Sequence, residues 1–218
     1  MHPALCLTGS IVALLNIRSW NLHLPHFISD HVHLNHCDIF CFTETHLKQK
    51  PTHDVSDFSE NWASVFKHTE HGLALTYNAE HVELVKEFKM TENIEIMACH
   101  LRCDSLVLCD FILVIVYRKP GSSIVNFLSI LHDEIQNLPS GYRTIIVGDF
   151  NLDQRLKENA DTMNLFARNI SFSQKSTNFS THNERGILDL VFDSCNLHNV
   201  VQWQPTPFSD HFVLYFKL

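Results

Sequence analysis

Residues 145–151 read Ile-Ile-Val-Gly-Asp-Phe-Asn, and no other stretch constrains the chain as strongly. Three apolar residues running into Gly148-Asp149-Phe150-Asn151 describe a buried strand that stops in a tight turn. Side chains i and i+2 of a strand share a face, so Asp149 and Asn151 address one target. A carboxylate holds a metal or takes a proton, and an amide donates to a phosphoryl oxygen. An ordinary strand-end turn is the competing reading, because Asp, Asn and Gly are common turn residues. On this stretch alone the two stand level.

The same pattern recurs along the chain. A strand is expected over Ile11 to Asn16, then a helix over Asn21 to His36 with Leu24, Phe27, Ile28 and Val32 at helical spacing. Asp38 to Thr43 reads as a buried strand closed by Glu44, and residues 48–61 as a loop. Further strands are expected at 62–66, 72–77, 81–88, 94–102 and 111–117. Ile124 to Leu138 reads as a helix capped by Ser122 or Ser123, with Pro139 after the stop. A strand at 143–148, a helix at 158–169 and a strand from Ile187 to Phe192 follow, the last with Asp189 inside it. Short strands at 198–203 and 212–217 complete the pattern. Many strands with two or three helices on long connections predict two packed sheets flanked by helices. No repeat and no Pro/Gly/Ser linker divides residues 1–218, so a single domain is expected.

The formal net charge of −8 speaks against a non-specific nucleic-acid coat, which needs clustered Lys and Arg. It leaves room for a nuclease, whose metal-holding carboxylates also count as negative. The seven cysteines are odd in number and sit mostly in apolar runs, which favours reduced thiols in an intracellular protein. Cys37/Cys41 and Cys99/Cys103 share a spacing but form no tight Cys-x-x-Cys pair, so zinc is disfavoured there. Ala4 to Leu15 lacks the basic start of a signal peptide. No apolar run reaches the roughly 18 residues of a membrane span.

Eight polar residues close, open or interrupt the apolar runs: Asn16, Glu44, Tyr117, Asp149, Asn151, Asp189, Asp210 and His211. Each alone is more often an ordinary surface or half-buried residue. Together they are the parts that metal-assisted phosphodiester hydrolysis needs. A divalent cation neutralises the phosphate. Oxygen ligands suit Mg²⁺, which takes one or two carboxylates and keeps waters. Neutral donors hold the transition state without repelling it, and an Asp orients a His.

Leu15-Asn16-Ile-Arg18-Ser19, Thr43-Glu44-Thr45-His46-Leu47, Tyr117-Arg-Lys-Pro120, Gly148-Asp-Phe-Asn151, Thr181-His182, Leu188-Asp-Leu-Val-Phe192 and Ser209-Asp210-His211-Phe212 carry a resemblance. In this order, over nearly the whole chain, they resemble the endonuclease/exonuclease/phosphatase superfamily. Within it the resemblance is to the endonuclease domain of non-LTR retrotransposons, relatives of the apurinic/apyrimidinic endonucleases. It implies a four-layered α/β sandwich of two packed, mostly antiparallel sheets flanked by helices. It implies a metal at Glu44, Asn16 and Asp210, with Mg²⁺ as the cofactor and Mn²⁺ able to substitute. Asp149 would prepare the attacking water, and His211, oriented by Asp189, would stabilise the phosphoryl transition state or act as base. Asp210 would assist the metal or the leaving group. Asn151, Tyr117, Arg18 and Thr181 would contact the substrate phosphate. The implied partner is DNA, nicked by a monomer in the nucleus, with no membrane. A full-length parent element would carry a reverse transcriptase domain as well.

The chain also departs from that pattern. Apurinic endonucleases usually carry an acidic residue where Arg18 stands, which matches the retroelement branch better. The strand start at His71-Gly72-Leu73-Ala74 is poorer in glycine than in retroelement relatives, and the stretch from Leu47 to Gly72 is short. An inactive relic of the same fold, or a phosphoesterase for a lipid or small phosphodiester, is the alternative.

Overall fold

In the computed structural model, residues 10–29, 37–57, 60–92, 94–104, 109–175, 179–183, 186–195 and 202–218 are described. Twelve strands run in chain order: β1 (Ile11–Asn16), β2 (Ile39–Thr43), β3 (Trp62–Lys67), β4 (Leu73–Asn78), β5 (Val82–Phe88), β6 (Ile96–Cys103), β7 (Cys109–Tyr117), β8 (Arg143–Asp149), β9 (Ser173–Gln174), β10 (Asp189–Asp193), β11 (Gln202–Gln204) and β12 (Val213–Lys217). Three α-helices join them: α1 (Trp20–Ser29), α2 (Ile124–Gln136) and α3 (Lys157–Asn169). The 30–36 part of the expected first helix and the 198–201 part of an expected strand lie outside the described residues.

The strands form two six-stranded sheets, ordered β11-β12-β1-β2-β4-β3 and β5-β6-β7-β8-β10-β9. Each sheet has one parallel pair, β1 with β2 and β7 with β8, and is otherwise antiparallel. The parallel pairs are crossovers through α1 and α2, the connection that parallel neighbours require.

Strand alternation builds the layers. Ile39 and Cys41 of β2 point into the central core, with Val12, Leu14, Leu75, Leu113, Ile115, Ile145, Val147 and Val191. Phe40 and Phe42 point the other way, onto Trp20, Leu24 and Phe27 of α1. On the far side Ile112, Val114, Ile146 and Phe192 meet Leu128 and Leu131 of α2 and Met163 and Phe166 of α3. The order is therefore helix, sheet, sheet, helices. Central strands buried on both faces read as continuous apolar runs, which is why β1, β2, β7 and β8 are so plain in the sequence. Ser123 caps α2, its side chain accepting from Asn126 N.

Several boundaries differ from expectation by a residue or two, and the short strand β9 was not expected. β10 begins at Asp189 rather than Ile187. The three N–H groups at Ile187, Leu188 and Asp189 go to side chains, Asp153 Oδ1 and Thr181 Oγ1, instead of a neighbouring strand. Cys37, Cys41, Cys99, Cys103 and Cys195 are free thiols. Cys41 faces the central core and Cys37 the α1 layer, so that pair shares no metal site.

The parallel pairings set the working edge. Asn16 is level with Thr43, and Tyr117 with Asp149. Asp189 opens β10 directly opposite Asp149. β12 runs antiparallel to β1, so its start adjoins the end of β1. Gly148 permits the close approach of β7 and β8: a Cβ there would lie 1.9 Å from Val116 O.

Candidate active site

Asn16 joins the two sheets. Its Nδ2 donates to Glu44 Oε1 at 3.0 Å and to Asp149 Oδ2 at 3.0 Å, and lies 3.5 Å from His211 Nε2. His211 Nδ1 bonds Asp189 Oδ2 at 2.8 Å, and its Nε2 is 3.7 Å from Asp149 Oδ2. The Tyr117 hydroxyl bonds Glu44. Three carboxylates, an imidazole, an amide and a phenol thus converge from β1, β2, β7, β8, β10 and the approach to β12.

The backbone is strained at this edge. Arg18, Glu44, His46 and Asn151 all have positive φ, between 48° and 55°. Non-glycine residues held there cost free energy and persist only where the surroundings fix them. At Asn151 the fixing is visible: its N donates to Asp149 Oδ1 at 2.9 Å and its Nδ2 to Arg118 O at 2.9 Å. Arg118, only 5% exposed, returns bonds of 2.6 Å from Nε to Phe150 O and from Nη2 to Asn151 O. A buried guanidinium without a carboxylate partner among the described residues, spent on the carbonyls of this turn, is a positioning element. The sequence did not single it out. Its only signal is adjacency to Tyr117.

Charge is distributed unevenly. Burial pushes Glu44 up, but hydrogen bonds from Asn16 and Tyr117, with His211 and His46 nearby, outweigh it and hold Glu44 below the usual range. Burial and the Asp189 charge push Asp149 up, against the pull of His211. Burial alone would lower His211; Asp189, Asp149 and Asp210 overcome it and raise it to about 9. Burial and Glu44 drive Tyr117 far above its usual value, so it remains a neutral donor.

The expected ligands separate. Glu44 is ionised and partly exposed, which fits a hard cation that takes one or two carboxylates and keeps waters. Asn16 Oδ1 accepts from Arg18 N at 3.2 Å, so its amide serves here as a link between carboxylates. Asp210 Oδ2 is held by Arg18 Nη1 at 2.5 Å. Asp149, Asp189 and His211 offer ligand atoms within 4.8 Å of one another, as do His182, Asp210 and His211.

One expected phosphate contact needs correction. Thr181 is fully buried, and its hydroxyl accepts from Leu188 N at 2.9 Å and Asp189 N at 3.0 Å. It holds the start of β10 and is closed to a substrate. The Arg18 guanidinium, expected on the phosphate, pairs with Asp210 and its side chain is 50% exposed. His46 and His71 flank Glu44 and Tyr117, with His46 Nε2 3.5 Å from Glu44 Oε2 and the His71 ring 4.8 Å from Tyr117. Neither was singled out in the sequence, because only the turn at Gly72 brings His71 beside His46 and Tyr117.

The molecule is a two-sheet α/β sandwich with a carboxylate–imidazole web at one sheet edge. A family model described as endonuclease-reverse transcriptase matches residues 111–215. Among solved structures, an AP endonuclease from Archaeoglobus fulgidus superposes with TM-score 0.74 at 15% identity, over 95% of this chain and 98% of that one. The 3′ phosphatase NExo from Neisseria, bound to a product DNA hairpin, gives 0.71 at 14% identity, over 96% and 99%. A mannosyl-6-phosphatase from Bacteroides thetaiotaomicron gives 0.71 at 15% identity, also over 96% and 99%. No curated protein sequence matches. The chain thus shares the fold of these solved structures, and its residues 111–215 are similar to the endonuclease-reverse transcriptase family. Among the described residues no helix is long and apolar enough to cross a membrane.

Proposed function

We propose that this chain is a Mg²⁺-dependent DNA endonuclease of retrotransposon origin that nicks one strand of a duplex in the nucleus. The observation that carries the proposal is Asn16: one amide nitrogen bonded at 3.0 Å to a carboxylate of each sheet, beside the Asp189–His211 pair. Glu44 would hold the cation, whose role is to neutralise the scissile phosphate and the leaving oxygen. Asp149 is aimed at the same point and is the group to orient and deprotonate a water. Asn151 would donate its second amide proton to a phosphoryl oxygen, and neutral Tyr117 would do so on turning its one proton from Glu44, neither adding negative charge. His211, kept protonated by Asp189, stabilises charge developing on phosphorus oxygens. The family description, endonuclease-reverse transcriptase, supports the retroelement origin.

The test is a supercoiled-plasmid nicking assay with Mg²⁺, with Mn²⁺ and with chelator. Metal-dependent conversion to open circles, absent in His211→Ala, is the expected result. A plasmid left intact at all metal concentrations would overturn the proposal. A small phosphoester as substrate is the second reading. It is favoured by the net charge of −8 and by the pairing of Arg18 with Asp210. Turnover of a chromogenic phosphodiester by a protein that leaves DNA intact would select it.

A further inference from the structure

Next to the Asn16 web stands a histidine, His182, that this chemistry does not use. The His182 ring lies edge-on to His211, centroids 4.7 Å apart at 83°. His182 Nε2 is 3.2 Å from Asp210 Oδ2. The backbone fixes the arrangement: His182 and His211 form a β-bridge, and Asn183 N donates to Asp210 O at 2.9 Å. His182 is 4% exposed. Asp210 Oδ1 is buried and has no hydrogen-bond partner among the described residues.

We propose that His182, Asp210 and His211 bind a divalent cation that prefers imidazole nitrogen, Zn²⁺ being the type, and that this cation switches the site off by capturing His211. Two nitrogens and one carboxylate oxygen suit zinc and not magnesium, which seeks oxygen. A tetrahedral zinc with bonds of about 2.0–2.1 Å holds its ligand atoms roughly 3.3 Å apart. The His182–Asp210 separation of 3.2 Å already matches. The three ligand atoms lie within 4.8 Å of one another, so closing on a common centre takes only a small movement of His211. With Nδ1 held by Asp189, Nε2 is the His211 nitrogen left for a metal. A carboxylate behind the imidazole is the usual support of a metal-bound His.

Binding costs two existing interactions. Arg18 must release Asp210; its side chain is 50% exposed, and ion pairs of that kind contribute little. His211 must give up its Nε2 proton to solvent, so one proton leaves for each cation bound to protonated protein. The competing account is that His182 merely packs and pairs with Asp210.

The binding half is independent of the proposed reaction and is read without substrate. The metal-free full chain is titrated with Co²⁺, a spectroscopic stand-in for zinc, following its visible ligand-field bands and their loss on adding Zn²⁺. His182→Asn should weaken the binding by about tenfold or more. Arg18→Ala should tighten it, because Asp210 is freed. No bands in the wild type, or bands unchanged in both variants, overturn the site. Nicking at fixed Mg²⁺ then tests the switch: added Zn²⁺ should inhibit the wild type at concentrations that spare His182→Asn. Equal inhibition of both overturns the switch.

Discussion

Two residues of the web divide the labour so differently that a substitution separates them. Glu44 is the ionised, partly exposed carboxylate, and His211 the buried imidazole. Glu44→Gln should weaken Mg²⁺ binding, and excess Mg²⁺ should partly restore nicking. His211→Ala should cut the rate on the order of 10²-fold or more with no rescue by metal. Near-normal nicking by His211→Ala would remove the Asp189–His211 pair from the mechanism. The same imidazole leaves a mark on stability. Its value rises on folding from 6.5 to about 9, because the surrounding carboxylates outweigh burial. A group raised on folding stabilises below its unfolded value and loses that contribution as pH climbs through the folded one. The His211 contribution is therefore complete below pH 6.5 and lost by about pH 9. Thermal unfolding of metal-free protein across that window should show the wild type losing stability relative to His211→Ala. Parallel curves would mean that the carboxylates do not hold the proton.

At the scale of elements, the turn from β8 depends on one missing side chain. Gly148 lies against Val116 of β7, and an added Cβ would meet backbone oxygen at 1.9 Å. Gly148→Ala should force β7 from β8 and separate Tyr117 from Asp149. The expected outcome is a fall in thermal midpoint together with loss of nicking; unchanged stability would show that the strands yield. Asn16, Glu44, Asp149 and His211 were legible in the sequence because each ends or precedes an apolar run, and apolar runs mark strands buried on both faces. Asp189 was legible as a polar residue within such a run, although β10 starts at it. Arg118 was not legible. Its burial follows from the carbonyls of Phe150 and Asn151 turning toward it, and nothing in Arg-Lys-Pro encodes that. Thr181 misled for a related reason: a hydroxyl near a site reads the same whether it faces substrate or the backbone N–H groups of Leu188 and Asp189. Nor does the sequence order the strands, since β12 finds β1 only through tertiary packing.

For the molecule as a whole, electrostatics predicts a light grip on DNA. Of its arginines, Arg18, Arg102, Arg143 and Arg155 are already engaged with carboxylates. With a net charge of −8, carboxylates outnumber the cations available to phosphates. The logarithm of duplex affinity should fall with a shallow slope against the logarithm of salt, measured by fluorescence anisotropy. A slope indicating about six or more phosphate contacts would reveal an unrecognised basic surface. The pairing of β12 with β1 has a consequence in time. A polypeptide emerging from the ribosome carries Asn16, Glu44 and Asp149 well before His211, and β1 waits for the partner that follows it. Asn16, Glu44 and Asp149 are translated first, and the imidazole arrives with the strand that shuts the sheet. Under the proposed reading, a nascent or prematurely terminated chain would be unarmed, and nicking would come only from molecules that have finished folding.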